Sequence, residues 1–340
     1  MTVKPIDILI HYPLDEDQQH ALAALSPQVR LSVFPTGKLS DIPSDLLQKA
    51  EVLLTTNQIP DPQAAPQLKW IQFSYAGIDF IHQHPILARA GFVATSLAGA
   101  AAPKVAEYAL MAMLALAHKL PMILQYQKEK IWPPDRWPRF QPKELRCSTV
   151  GLLGYGSIAR ELARLLQPFG MTILATKYDL EDVRQKGYIP PGTGDPEGEL
   201  FTRLYPPQAL RSMLKLSDFV IITLPLTQST RAIIGAKELQ AMKKTAYLIA
   251  IGRGGQVDED ALLFALKEKQ IAGAALDVFA SEPLPKENPL WEAPNLVVTP
   301  HIAGDTGNYD QLVFELFAEN LKRYISGKDL LNIFDADRGY

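Results

Sequence analysis

Thr149-Val-Gly-Leu-Leu-Gly-Tyr-Gly-Ser-Ile-Ala-Arg-Glu-Leu-Ala163 is the stretch that decides the fold class. An apolar run ends at Leu153 and a helical pattern begins at Ser157, so the stretch predicts strand, turn and helix. Gly154, Gly156 and Ala159 form a G-x-G-x-x-A pattern across the turn. Gly154 permits the tight turn, Gly156 lets a ligand approach the backbone, and small Ala159 lets the helix pack close to the strand. The first helical N–H groups, those of Ser157 and Ile158 among them, offer unpaired donors and the positive end of the helix dipole. Alone the glycine pattern is a weak signal; between a strand and a helix it implies that a dinucleotide pyrophosphate binds there.

Outward from the turn, the next strand (172–176) is followed by Lys177, where a ribose-binding acid is usual in NAD sites. A cation there suits the 2′-phosphate of NADP, so NADP is favoured over NAD, with NAD left open. Strand-like runs at 218–224, 246–251, 274–278 and 296–299 continue the alternation. Upstream, 6–11, 29–34, 51–55, 70–73 and 92–95 read as strands, and 15–25, 44–50 and 80–90 as helices, with Asp15 and Ser44 standing as N-caps. A long helix is expected over 101–120 and a last one over 310–325. Strands alternating with helices predict parallel sheets covered on both faces.

The chain has 340 residues, more than one compact core usually serves, and the alternation begins twice. The fold expected is α/β with two doubly wound domains, a Rossmann cofactor domain inserted into a flavodoxin-like substrate domain. The boundaries predicted are 1–118 plus 306–340 for the substrate domain and 119–305 for the cofactor domain. An arm at 125–145 includes the proline- and tryptophan-rich segment 131–142, which cannot form a regular helix or central strand. Trp132 and Trp137 favour packing of that arm against something, and 185–207, rich in Gly and Pro, reads as a flexible surface excursion.

Three charged residues each follow a predicted strand: Arg253 in Ile251-Gly-Arg-Gly-Gly-Gln, Glu282 in Ala280-Ser-Glu-Pro, and His301 in Thr299-Pro-His-Ile-Ala-Gly. In a doubly wound sheet the carboxyl ends of strands face the ligand crevice, so all three can converge. Arginine can hold a carboxylate in a bidentate pair and polarise the adjacent carbonyl. A carboxylate beside histidine favours the imidazolium, which can protonate an alkoxide as a hydride arrives. That set is what reduction of a 2-oxo acid requires, and it is far more specific than any one member.

The sequence resembles the D-isomer-specific 2-hydroxyacid dehydrogenase family, which includes glyoxylate/hydroxypyruvate reductases and phosphoglycerate dehydrogenases. The resemblance runs from Leu68-Lys-Trp-Ile-Gln-Phe-Ser-Tyr-Ala-Gly-Ile-Asp through Val105-Ala-Glu, the glycine turn, Leu224-Pro-Leu-Thr and the Arg253, Glu282 and His301 motifs. It implies an oxidoreductase that moves a hydride between NAD(P)H and a 2-oxo acid to give a D-2-hydroxy acid. By resemblance, Ala76 and Gly77 offer N–H groups to the substrate carboxylate, Arg253 binds substrate, and Glu282 and His301 are the acid–base pair. Val105 would line the nicotinamide pocket and Asp277 would bind the carboxamide. Leu224, Pro225, Thr230, Ile251, Gly252, His301 and Gly304 complete the cofactor contacts expected beside the glycine turn. A homodimer joined through the arm is implied as well. The sequence departs from the family at Ala250, where Asn is frequent, at Ala159 for Gly, at Lys177 for the ribose-binding acid, and at Tyr75 for a small residue, which leaves substrate size open.

Other classes fit less well. The pairs Tyr126/Lys130 and Tyr324/Lys328 have the spacing of a short-chain dehydrogenase, but the first precedes the glycine turn and the second sits on the terminal helix as ordinary surface residues. His82 and His84 lack further ligands, so no metal is expected. No G-x-S-x-G elbow is present. A catalytically idle dinucleotide sensor would have no need of a proton donor. A net charge of −3 gives no reason to expect nucleic acid or an anionic membrane as partner. A single cysteine, Cys147, suits a reducing compartment. The opening residues lack a signal peptide's apolar core, and the longest apolar stretch is shorter than the roughly 20 residues that span a bilayer. A cytoplasmic enzyme is the expectation.

Overall fold

The computed structural model describes residues 4–339, which fall into two compact units. The first unit runs to Ala101, takes in Lys186–Pro190 and resumes at Thr306. The second holds Ala102–Gln185 and Pro191–Asp305.

In the first unit, β1 (Ile6–His11), β2 (Val29–Val33), β3 (Val52–Thr55), β4 (Trp70–Phe73) and β5 (Val93–Thr95) form a parallel sheet in the order β2-β1-β3-β4-β5. This is the flavodoxin-like order that the alternation predicts. The central strands β3 and β4 are buried along their whole length, which is why they read as continuous apolar runs. On one face, Val313, Leu316, Phe317 and Leu321 of the C-terminal helix (Tyr309–Ile325) cover Ile8, Ile10 and Trp70. Trp70 stacks with both Phe317 and Tyr324. Tyr324 therefore belongs to the core packing, with its hydroxyl on Glu51, and is not the surface residue expected.

Local chemistry decides the helix ends. Asp15 caps α1 (Glu16–Ala23), accepting from the Gln18 N–H in a capping box. Ser44, read as an N-cap, instead lies inside α2 (Ser44–Lys49), whose N-cap is Pro43. The helix expected over 80–90 is two 3-10 turns, Asp79–Ile81 and Pro85–Ala88. Gln83, at φ +70°, and Pro85 interrupt it, and His84 caps the second turn through Nδ1.

The second unit holds α3 (Ala102–Ala117), α4 (Leu120–Glu129), α5 (Arg136–Arg139), β6 (Thr149–Leu153), α6 (Ser157–Leu166) and β7 (Thr172–Thr176). There follow β8 (Arg203–Tyr205), α7 (Leu210–Leu214), β9 (Phe219–Ile222), α8 (Ala236–Ala241), β10 (Tyr247–Ala250), α9 (Glu259–Lys267), β11 (Gly273–Leu276) and β12 (Leu296–Val298). The parallel sheet runs β12-β11-β10-β9-β6-β7-β8. Strand order reverses between β6 and β9, and such a switch point is where dinucleotide folds place their ligand. The division between units falls at Ala101 and not at 118, because α3 buries Val105, Ala109, Met113 and Leu116 with Val150, Leu162 and Ile173. That burial also accounts for its apolar composition. No single helix among the described residues is long and apolar enough to cross a membrane.

Two further expectations change. The arm contains a helical turn, α5, despite its prolines, since Pro138 stands within the first turn, where no intrahelical N–H is required. The excursion after β7 is not a loose surface loop. It adds edge strand β8, paired with β7 from Leu174↔Arg203 to Thr176↔Tyr205, and its Asp195 is buried. Lys186–Pro190 belongs to the first unit, where the Tyr188 N–H donates to Asn332 Oδ1 at 2.9 Å.

Candidate active site

At the carboxyl end of β6, Gly154 takes φ +89°, a left-handed conformation that favours glycine. A β-carbon there would also press on Leu224 Cδ2, so the turn and the loop after β9 meet at this point. The Gly154 N–H donates to Thr176 Oγ1 at 2.9 Å, and the Thr223 hydroxyl to Leu153 O at 3.1 Å. At Gly156, the N-cap of α6, a β-carbon would have no described neighbour within 4 Å. The turn is therefore tied on its inner side and open on its outer side, at the start of a ten-residue helix whose first residues are Ser157 and Ile158. Anionic phosphates fit this cradle. Lys177 follows β7, its N–H donating to Tyr205 O at 3.0 Å, and its charge lies close enough to lower the Asp179 pKa, after the Asp182 and Glu181 N–H groups.

The loops after β9 and β10 are joined by a residue that sequence reasoning missed. Gln256 is fully buried; its Nε2 donates to Leu224 O (2.8 Å) and Pro225 O (3.1 Å), while its Oε1 accepts the Arg253 N–H (2.9 Å). Gly252 leaves room for Gln256 and Leu224 O, and Ile251 is buried just before it. Thr230 accepts from the Thr227 N–H and donates to Pro225 O, closing the same loop. Arg253 is thus carried on a framed turn, with its Nη1 donating to Gly252 O. The only signal for Gln256 was a polar residue directly after Gly254-Gly255.

His301 and Glu282 come together although 19 residues separate them: Nδ1 lies 2.7 Å from Oε2. Glu282 Oε1 accepts the Phe279 N–H at 2.8 Å, so the carboxylate is itself oriented. His301 has φ +54°, an unfavourable left-handed conformation for a residue with a β-carbon. Asp277 organises the backbone that follows: its carboxylate accepts the Thr299 hydroxyl (2.6 Å) and the N–H groups of Ile302 (3.0 Å) and Ala303 (2.8 Å). Tyr108 of α3 lies 2.5 Å from Thr299 Oγ1 behind it, and burial raises the Tyr108 pKa. Asp277 is buried and spends three of its roughly four acceptor positions on the protein, leaving about one for a ligand amide. Val105 and Gly304 are neighbours, since a β-carbon on Gly304 would lie 3.7 Å from Val105 Cγ2.

In the first unit, Ala76 is exposed and Gly77 half-buried in the loop after β4. That loop is held by Leu97 N–H donating to Tyr75 O (2.8 Å) and the Tyr309 hydroxyl donating to Ser74 O (2.8 Å).

The family profile for the NAD binding domain of D-isomer specific 2-hydroxyacid dehydrogenases matches residues 110–303. The chain belongs to this family. It is 39% identical over 274 residues to a glyoxylate reductase of Thermofilum pendens, covering 78% of this chain and 74% of that protein. It is 32% identical over 332 residues to the D-3-phosphoglycerate dehydrogenase of Methanocaldococcus jannaschii, covering 96% of this chain but only 59% of that longer protein. The crystal structure of a D-isomer specific 2-hydroxyacid dehydrogenase from Xanthobacter autotrophicus Py2, in complex with NADPH and MES, superposes with a TM-score of 0.77. The identity is 26%, with 99% of this chain and 100% of that chain covered. This dehydrogenase is accordingly an NAD(P)-dependent oxidoreductase acting on the 2-oxo acid and 2-hydroxy acid pair, and its α/β fold is the one the sequence predicts.

Proposed function

We propose that the chain reduces a 2-oxo acid to the D-2-hydroxy acid, with Arg253 binding the substrate and His301 donating the proton. The observation that carries this reading is the His301–Glu282 pair. With Nδ1 on the carboxylate, Nε2 is left as the nitrogen that gives or takes a proton, and the Glu282 charge stabilises the imidazolium. Arg253, on the framed turn after β10, supplies a planar cation for the substrate carboxylate and for charge developing on the carbonyl oxygen. By the family resemblance, the N–H groups of Ala76 and Gly77 would offer donors to a substrate carboxylate. Bound NAD(P)H supplies the hydride. Gly154, Gly156, Ser157 and Ile158 would hold its pyrophosphate, Lys177 its adenosine end, and Val105, Asp277 and Gly304 its nicotinamide.

Lys177 supports NADP as the preferred form, because a cation pairs with a 2′-phosphate. The arm supports a homodimer. Trp132 and Trp137 are 84% and 77% exposed, and Ile131, Leu120 and Leu124 are exposed as well. Burying such area against a second copy is favourable by about 25 cal/mol per Å². The single cysteine supports a reducing, cytoplasmic location. Turnover of glyoxylate, hydroxypyruvate and longer 2-oxo acids with NADPH and NADH tests the reading. Reduction of at least one at a rate that depends on His301 is the expected result; nucleotide binding without turnover of any would favour a sensor.

A further inference from the structure

The middle residue of the phosphate turn points inward. Tyr155 stands between Gly154 and Gly156, yet it is 4% exposed. Its hydroxyl donates to Asp195 Oδ2 at 2.7 Å, its ring meets Phe201 edge-on, and the Arg160 guanidinium lies 4.6 Å over its face. Arg160, in the first turns of α6, is 2% exposed and spends its donors on three carbonyls: Tyr155 O (3.1 Å), Asp195 O (2.6 Å) and Val183 O (2.5 Å). Asp195 in turn accepts the N–H groups of Gly198, Glu199 and Leu200. Next to Arg160, Glu161 accepts the Gly194 N–H at 2.6 Å. Gly198, at φ +75°, allows Val183 O to come close.

Buried charges are costly unless paired and hydrogen-bonded, so a network this complete specifies one arrangement of the segments it joins. Those segments are the phosphate turn, the start of α6, the chain just before the excursion at Val183, and the excursion itself at 194–200. Because Arg160 grips both Tyr155 O and Val183 O, the turn and the stretch that follows Lys177 are fixed relative to each other. The excursion is thereby part of the frame on which a dinucleotide lies.

We infer that Asp195 is a positioning residue for the cofactor: through Tyr155 and Arg160 it sets the geometry of the Gly154–Gly156 turn, so that nucleotide affinity depends on a segment 40 positions further along the chain. The inference rests on the dehydrogenase reading. The Asp195 carboxylate is committed to the Tyr155 hydroxyl and to the N–H groups of Gly198, Glu199 and Leu200, so its effect is expected on cofactor binding and not on the chemical step.

The test uses the intact enzyme and the variants Tyr155→Phe and Asp195→Asn. Fluorescence titration gives Kd for NADPH and NADH, and steady-state kinetics give kcat and both KM values. Losing one hydrogen bond that preorganises the turn corresponds to a loss of roughly tenfold in affinity. The expected result is therefore a Kd and cofactor KM raised about tenfold, with kcat at saturating cofactor and KM for the 2-oxo acid changed less than twofold. A purely structural role would lower Tm and leave the cofactor KM where it was. If Asp195→Asn does not fold, Tyr155→Phe decides, because it keeps the ring and removes only the hydroxyl. Wild-type Kd values in the folded variants would overturn the inference alone. Failure of the unmutated enzyme to bind either nucleotide would overturn the dehydrogenase reading, and the inference with it.

Discussion

Glu282 holds His301 with one carboxylate oxygen and the Phe279 N–H with the other, at 2.7 and 2.8 Å. The acid is thus oriented by the backbone of its own loop before it orients the imidazole. Replacing His301 by Ala should reduce kcat by roughly 10² to 10⁴, since no second proton donor accompanies it among the residues assigned here. Glu282→Gln keeps an acceptor for Nδ1–H but removes the charge, and should cost kcat roughly tenfold to a hundredfold. Stopped-flow oxidation of bound NAD(P)H measures both; wild-type rates in His301→Ala would remove His301 from the mechanism.

Arg253 tests binding and catalysis together. Arg253→Lys retains the charge and loses the planar fork, so KM for the 2-oxo acid should rise and kcat should fall. An unchanged KM would mean that another group holds the carboxylate.

The proposed NADP preference rests on Lys177. In Lys177→Asp an attraction for a 2′-phosphate becomes a repulsion, so kcat/KM with NADPH should drop by roughly 10- to 100-fold relative to NADH. The ratio of the two cofactors in wild type and variant decides it, and a constant ratio would make Lys177 a bystander.

Asp277 is expected to act on fold and function at once. An amide at this buried position turns one acceptor into a donor, which then faces either the Ile302 N–H, on Oδ1, or the Ala303 N–H, on Oδ2. Asp277→Asn should therefore lose about 1–3 kcal/mol in denaturant unfolding. It should also lower kcat, because the left-handed backbone at His301 depends on those bonds. Unaltered stability would contradict the role assigned to the carboxylate.

The arm makes a prediction about mass. Light scattering at micromolar concentration should give twice the chain mass, and Trp137→Ala together with Trp132→Ala should shift the equilibrium towards monomer. A monodisperse wild-type monomer would end the proposal.

Much of this was legible in the chain itself. The Gly154–Ala159 pattern predicts strand, turn and helix because glycine geometry and hydrophobic period are local properties, and β6 and α6 form there. Strand-end positions for Arg253, Glu282 and His301 were equally readable, since buried parallel strands announce themselves as apolar runs. What only the tertiary structure decided are the partnerships of polar groups distant in sequence. Gln256 joins two loops, Asp277 builds the backbone after His301, and Asp195 reaches back to Tyr155. Two local expectations also failed for want of context: α3 went to the second unit because its apolar face fits α6, and the Gly- and Pro-rich excursion is anchored by Arg160 and not loose. Hydrophobic period records which face of an element is buried, but a hydrogen bond between residues 40 positions apart leaves no period in the sequence and exists only once the sheet has brought its ends together.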